Sequence, residues 1–355
     1  MRVALVTSLV SPIRPAEANG PHAVVIDLAH GLTARGHRVS VYAAAGSVAE
    51  GCHIVQVPVE SAAAAASVLV GRAPPAAATR ALDRGFERLF ERLRTDEPDV
   101  VSQHAFDAAA FTLADGLPVV HTLHLPPAGD DVLGAVRRAD GRLAAVSRHA
   151  RQAWRSATGR EVGLLRNGVR DLEPADGPTL PIALIAGRIS PEKGTDAAIR
   201  VARRAGLAVL VAGDVYDAHF HASSVAPLLR PGEWIGPVSR EELFQLMARS
   251  AVLLMPIRWD EPFGLVAAEA QMAGCPVAGY RRGALSEVVP HGIGGWLVDP
   301  DDEEALLDAV LIARTLERGA IRRRARIELG VDPMVDAYER MLTAVATQGA
   351  ARAAS

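Results

Sequence analysis

Two carboxylates, a proline and a glycine stand together in the stretch Trp259-Asp260-Glu261-Pro262-Phe263-Gly264-Leu265-Val266-Ala267-Ala268-Glu269. The apolar run before it, Ala251 to Pro256, reads as a buried parallel strand, and the stretch opens a helical pattern that ends at Gly274. Pro262 suits the first helical position. Gly264 lets a ligand approach the backbone where free helix amides and the positive end of the dipole favour an anion. At about 100° per residue, the eight steps from Glu261 to Glu269 amount to two turns plus roughly 80°, so the carboxylates do not share one position on a helix face. They suit different parts of one extended ligand. The plainer alternative is a helix-start charge at Glu261 and a solvated Glu269, and the stretch alone does not choose between the two.

A second constellation is Gly187-Arg188-Ile189-Ser190-Pro191-Glu192-Lys193-Gly194, a loop between the strand expected at Pro181 to Ala186 and the helix expected at Thr195 to Ala205. An arginine fork, a lysine point charge and a helix N-terminus are three complementary ways to hold a diphosphate. Their co-occurrence favours a site over capping charges.

These residues need a scaffold, and the rest of the chain supplies its pattern. At 355 residues, 49% hydrophobic and 22% charged, the chain has globular composition and suits two domains. A net charge of -3 gives no reason to expect nucleic acid or an anionic membrane as partner. The apolar runs have strand length and Met1 to Val6 enters structure at once, so a soluble cytoplasmic protein is expected. Cys52 and Cys275 lie far apart, with no zinc-type spacing, and read as small buried hydrophobes.

Strands are expected at Arg2 to Leu9, Arg38 to Ala43, His53 to Val59, Asp99 to Gln103, Pro118 to His124 and Arg142 to Val146, and Glu161 to Leu165 runs into the turn signal Asn167-Gly168. The helix from about His22 to Arg35 makes the opening a βαβ unit, which favours a parallel sheet. The loop before that helix ends in Asn19-Gly20 and lacks the Gly-x-Gly-x-x-Gly fingerprint. On the strand containing His121-Thr122-Leu123-His124, alternation sends the two histidines to opposite faces, which argues against a shared metal. Asp171 to Pro181, rich in Pro, Asp and Gly, reads as a linker. Beyond it, strands are expected at Leu207 to Gly213, Trp234 to Val238, Ala251 to Met255, Pro276 to Tyr280 and Gly295 to Val298. Ser239-Arg240-Glu241-Glu242 is a capping box. Arg80 to Arg94 and Arg322-Arg323-Arg324 read as solvated helix faces, and Met334 to Ala346 as a last helix. Two parallel α/β domains imply a cleft, with ligands at the carboxyl ends of the strands.

Taken together, the Asn19-Gly20 loop, the Gly187 to Gly194 segment, Glu261 to Glu269 and Gly274-Cys275-Pro276-Val277 resemble glycosyltransferase family 4, a retaining family. The resemblance implies the GT-B fold: two Rossmann-like, doubly wound parallel-sheet domains facing a cleft. It places an acceptor-binding domain at 1–170, a nucleotide-sugar donor domain at 171–333, and a C-terminal helix at 334–355 that packs back on the first. By the same resemblance Arg188 and Lys193 hold the donor diphosphate, Glu269 takes the ribose and Glu261 the transferred sugar. The amides around Phe263, Gly264 and Leu265 add sugar or phosphate contacts, and His124 contacts the sugar. Gly20 belongs to the glycine-rich loop, whose usual Gly-Gly is here Asn19-Gly20, making Asn19 a candidate for tuning donor or acceptor. Asn167-Gly168-Val169 matches the interdomain motif, with Arg170 where the family has Asp.

The implied reaction is retaining transfer of a hexosyl group from a nucleotide sugar, UDP favoured over GDP, to a hydroxyl of a small-molecule acceptor. No metal or cofactor is expected, because Arg188, Lys193 and helix amides take the charge of the leaving diphosphate. A nucleotide-sugar epimerase, a phosphorolytic enzyme of similar architecture, and a non-catalytic nucleotide-sugar-binding protein are the alternatives. Acceptor choice falls to Ser11 to Asn19, Ala105 to Asp107 and Pro126 to Asp131, which carry no decisive motif. The oligomeric state is not legible.

Overall fold

The computed structural model describes residues 1–14, 20–66, 74–174 and 177–353. Asn19 lies outside them. The chain forms two compact units: residues up to Arg166 together with those from Met334 onward, and Asn167–Pro333.

The first unit is built on β1 (Arg2–Val6), β2 (Arg38–Ala44), β3 (His53–Val57), β4 (Val100–Gln103), β5 (Val119–Leu123), β6 (Arg142–Ala145) and β7 (Val162–Leu164). They form one parallel sheet in the order β3-β2-β1-β4-β5-β6-β7. Strands such as Val100–Gln103 and Val119–Leu123 are buried at every position, as expected where helices cover both faces. The helix Ala76–Asp96 turns Leu82, Phe86, Leu89, Phe90 and Leu93 inward at helical spacing. Each such side chain contributes on the order of 1.5–3 kcal/mol on burial. Arg80, Arg84 and Arg88 lie on its exposed side. The helix Val331–Ala353 is longer than its sequence pattern indicates. From Met334 on it belongs to the first unit, where the Tyr338 hydroxyl donates to Thr122 Oγ1 at 3.3 Å and Arg35 pairs with Asp336 and Glu339.

The second unit has β8 (Leu180–Ala186), β9 (Ala208–Ala212), β10 (Ser250–Met255), β11 (Val277–Tyr280) and β12 (Gly295–Val298), again all parallel, ordered β12-β11-β10-β8-β9. Both units are therefore α/β with parallel sheets. Among the described residues no helix is long and apolar enough to cross a membrane.

Two expectations need correction. Trp234 to Val238 is not a strand; Trp234 makes an isolated bridge to Val211. Gly236, at φ 72°, turns the chain out of the extended region, and Pro237 has no N–H to give a ladder. Nor does the helix begin at Pro262: it spans Leu265–Met272, because Gly264 sits at φ 94°, outside the helical basin. Counting helical turns from Glu261 therefore does not describe its relation to Glu269.

Candidate functional site

In the second sheet β8 is flanked by β9 on one side and β10 on the other, so the chain direction of winding reverses there. The loops leaving the carboxyl ends of β8 and β10 diverge at such a point and leave a crevice for a ligand. Arg188 and Lys193 lie in the first loop and Glu261 in the second. The loops are tied together, since Arg258 N donates to the Glu192 carbonyl at 2.8 Å and the Arg258 guanidinium reaches Asp196 at 2.9 Å.

This brings Lys193 and Glu261 into contact, with Nζ 2.8 Å from Oε2. Trp259 Nε1 donates to the same oxygen at 2.8 Å, and the ammonium lies 4.8 Å from the Trp259 ring centroid, within cation–π range. Glu261 itself is fixed from behind. Ala284 N donates to its carbonyl at 2.8 Å, and Gly283, at φ 54°, backs directly onto its main chain. A methyl group at Gly283 would stand 2.3 Å from Glu261 N and 2.4 Å from its carbonyl oxygen. Only glycine fits there.

Arg188 is not drawn into that contact. Its guanidinium lies over the Tyr216 ring, 4.5 Å from the centroid, and reaches Glu192 Oε1 at 3.4 Å, an oxygen also bonded by the Ser190 hydroxyl at 2.6 Å. Phe263 is a core side chain, and Gly264 caps the helix whose first amides belong to Leu265, Val266 and Ala267. Glu269, one turn further along, accepts from Arg240 Nε at 3.1 Å. Arg240 is the first residue of the helix Arg240–Arg249, whose start is closed by the observed capping box of Ser239 and Glu242. Arg170, Leu172, Arg240, Phe244, Met247 and Glu269 line a shallow recess, and Arg170 also pairs with Glu241 at 3.3 Å.

In the first unit Gly20 begins the helix Gly20–Ala34, and His124 follows β5. The two histidines of that strand do face opposite ways. His121 Nε2 bonds the Asp140 carbonyl at 3.0 Å beside Phe111, while His124 Nε2 lies 2.8 Å from His104 Nδ1. His104 Nε2 in turn lies 2.9 Å from the Ser102 hydroxyl, and its ring stacks between His124 and Tyr338. Burial lowers the pKa of His124 to about 4 and that of His104 well below its ordinary value, the latter helped by His124, so both rings are neutral at pH 7. Asp107, after β4, is pushed up to about 7 by burial and by Asp83, against a bond from Ser8.

Sequence reasoning missed Trp259 as a partner of Glu261, Arg240 as a partner of Glu269, and His104. The signal for His104 was its placement at the carboxyl end of β4, which sheet order sets beside β5. Arg240 had none, because pairing across 29 positions is invisible to local patterns.

Two family models match the chain: "Glycosyltransferase Family 4" over residues 18–171 and "Glycosyl transferases group 1" over 174–328. D-inositol 3-phosphate glycosyltransferase of Nocardioides sp. is 34% identical over 168 residues, 40% of this chain and 35% of that protein. Glycogen synthase of Mycobacterium tuberculosis is 29% identical over 276 residues, 67% of this chain and 66% of that protein. The matched stretch thus spans only about a third of the first relative's length. Among solved structures, AviGT4, a glycosyltransferase involved in avilamycin A biosynthesis, superposes with a TM-score of 0.75 at 21% identity, covering 98% of each chain. Anabaena Alr3699/HepE in complex with UDP-glucose gives 0.74 at 17% identity, covering 96% of this chain and 99% of that one.

Proposed function

The chain belongs to glycosyltransferase family 4 and has the GT-B fold, and from that premise we propose that it transfers a hexosyl group from a nucleotide sugar to a hydroxyl of a small-molecule acceptor. The donor is a UDP-sugar in preference to a GDP-sugar, the configuration at the transferred carbon is retained, and no metal takes part. The observation that carries this reading is the meeting of Lys193 and Glu261 at the switch point of the second sheet, next to the start of the helix Leu265–Met272. The Anabaena neighbour, solved in complex with UDP-glucose, supports the choice of base.

In this reading the donor's diphosphate lies against Arg188, Lys193 and the amides of Leu265 and its neighbours. As the sugar–phosphate bond breaks, negative charge grows on the leaving diphosphate, and these groups are already oriented to receive it. Their cationic charge fills the part a divalent ion plays in other transferases. Glu261 accepts hydroxyls of the transferred sugar and Glu269 those of the ribose. His124, neutral at pH 7, orients the sugar by hydrogen bonding and carries no charge into the step. Gly20, at the start of its helix, gives the donor close access to backbone.

The test is incubation with a panel of nucleotide sugars and candidate acceptors, following nucleotide release and product. Release that falls at least 100-fold in the Arg188→Ala/Lys193→Ala protein is the expected result. Unchanged turnover in that double variant would sink the assignment, and nucleotide-sugar conversion without an acceptor would point to an epimerase instead.

A further inference from the structure

Glu261 offers one oxygen to two donors. Oε2 receives the Lys193 ammonium and the Trp259 indole N–H, each at 2.8 Å, and the ammonium also rests on the indole face. Ammonium, carboxylate and indole thus close a triangle. The donor reading asks Lys193 to serve a diphosphate, and a lysine cannot give its full charge to phosphate while it neutralises a carboxylate. When phosphate draws it away, Glu261, with a side chain only 12% exposed, loses its counter-charge at the moment it is needed by the sugar.

The indole does not follow the ammonium. Its N–H is a donor with no acceptor capacity, carried on a stiff side chain with two torsions, whereas Lys193 swings on a flexible four-carbon stem. We propose that Trp259 is a positioning residue that holds Glu261 in its sugar-facing orientation once the donor's diphosphate has taken Lys193. By occupying Oε2 the indole leaves the other oxygen, Oε1, to accept sugar hydroxyls. The aromatic face keeps the lysine close during the exchange, so ammonium moves between carboxylate and phosphate without first entering water. The proposal rests on the reading in which Glu261 contacts the transferred sugar.

Trp259→Phe separates the two roles of the indole, since phenylalanine keeps a ring beneath Lys193 and removes the N–H. The measurements are turnover with the donor identified in the nucleotide-sugar panel, calorimetric affinity for its free nucleoside diphosphate, and the thermal midpoint. The expected result is a 10- to 100-fold lower kcat, nucleoside diphosphate affinity within twofold of the parent, and an unchanged midpoint. A wild-type kcat overturns the proposal. So does a loss of nucleotide affinity that parallels the loss of kcat, because a general disturbance of the loop would produce it. The Arg188→Ala/Lys193→Ala protein in the same assay reports on the donor site independently: parent-like turnover there removes the premise, whereas its loss alongside an intact Trp259→Phe enzyme leaves the donor site standing and refutes the role of Trp259 alone.

Discussion

Replacing Gly283 by alanine should uncouple the position of Glu261 from the stability of the unit around it. The methyl group meets main chain at 2.3 and 2.4 Å. An ordinary nonbonded contact is roughly 3.5 Å, so the Glu261 backbone must retreat by about 1 Å. Two costs are then separable. The left-handed backbone at φ 54° disfavours any Cβ by about 1 kcal/mol, and the overlap adds about 1–3 kcal/mol if the loop holds its place. If the loop yields, that second cost is exchanged for a displaced carboxylate, and a 1 Å error at a reacting centre is worth roughly 100-fold in rate. Gly206 supplies the control, because its φ is 70° but nothing lies within 4 Å of a Cβ there. Gly206→Ala should lower the melting midpoint by about 2–4 °C, the shift expected of about 1 kcal/mol in a unit of this size, with kcat within twofold of the parent. Gly283→Ala should lower kcat by about 100-fold, or else lose about twice the stability or more. Differential scanning calorimetry and initial rates on both proteins decide the matter. A Gly283→Ala enzyme matching Gly206→Ala in both readouts refutes the idea that this glycine sets the position of Glu261.

Arg240→Met should raise the KM for donor about 3- to 10-fold with kcat nearly unchanged, a loss of about 1 kcal/mol of donor binding once the contact that orients Glu269 is gone. The same variant should discriminate less against a 2′-deoxyribose donor, and steady-state kinetics with the two donors checks it. Stability should rise with pH between about 4 and 6.5. His22, His121 and His124 are each lowered to about 4 by burial, so in that window the unfolded chain binds more protons than the native one. Asp107, raised to about 7, acts in the opposite sense, losing its contribution as pH rises from about 4 to 7. Urea midpoints at pH 5 and pH 7 should therefore differ in favour of pH 7, and by more in Asp107→Asn.

The parallel architecture was legible because strands buried on both faces are written as unbroken apolar runs such as Ala251 to Met255, which no turn residue interrupts. Local patterns also located the capping box at Ser239 and the loops bearing Arg188, Lys193 and Glu261. Periodicity failed where backbone dihedrals decide. Pro262 has the right chemistry to start a helix, yet Gly264 in the left-handed region postpones the start to Leu265. Trp234 to Val238 has strand-like residues, but Gly236 and Pro237 break the ladder. The partners Trp259, Arg240 and His104 were out of reach for a different reason. Each acts through a hydrogen bond whose geometry depends on how loops from separate strands come together, and a sequence pattern carries no distances.

The first unit is written in two pieces of chain with the whole of the second unit between them. During synthesis at roughly 5–20 residues per second, the first unit waits on the order of ten seconds, while the second is being made, for the helix segment carrying Tyr338. Through that interval Thr122 and His104 lack their cover, and the Gly20–Ala34 helix lacks the Val335 side chain that packs against Gly31. The half begun first on the ribosome is thus the half that matures last, and an intermediate with an uncovered first unit is the species that chaperones and proteases would meet.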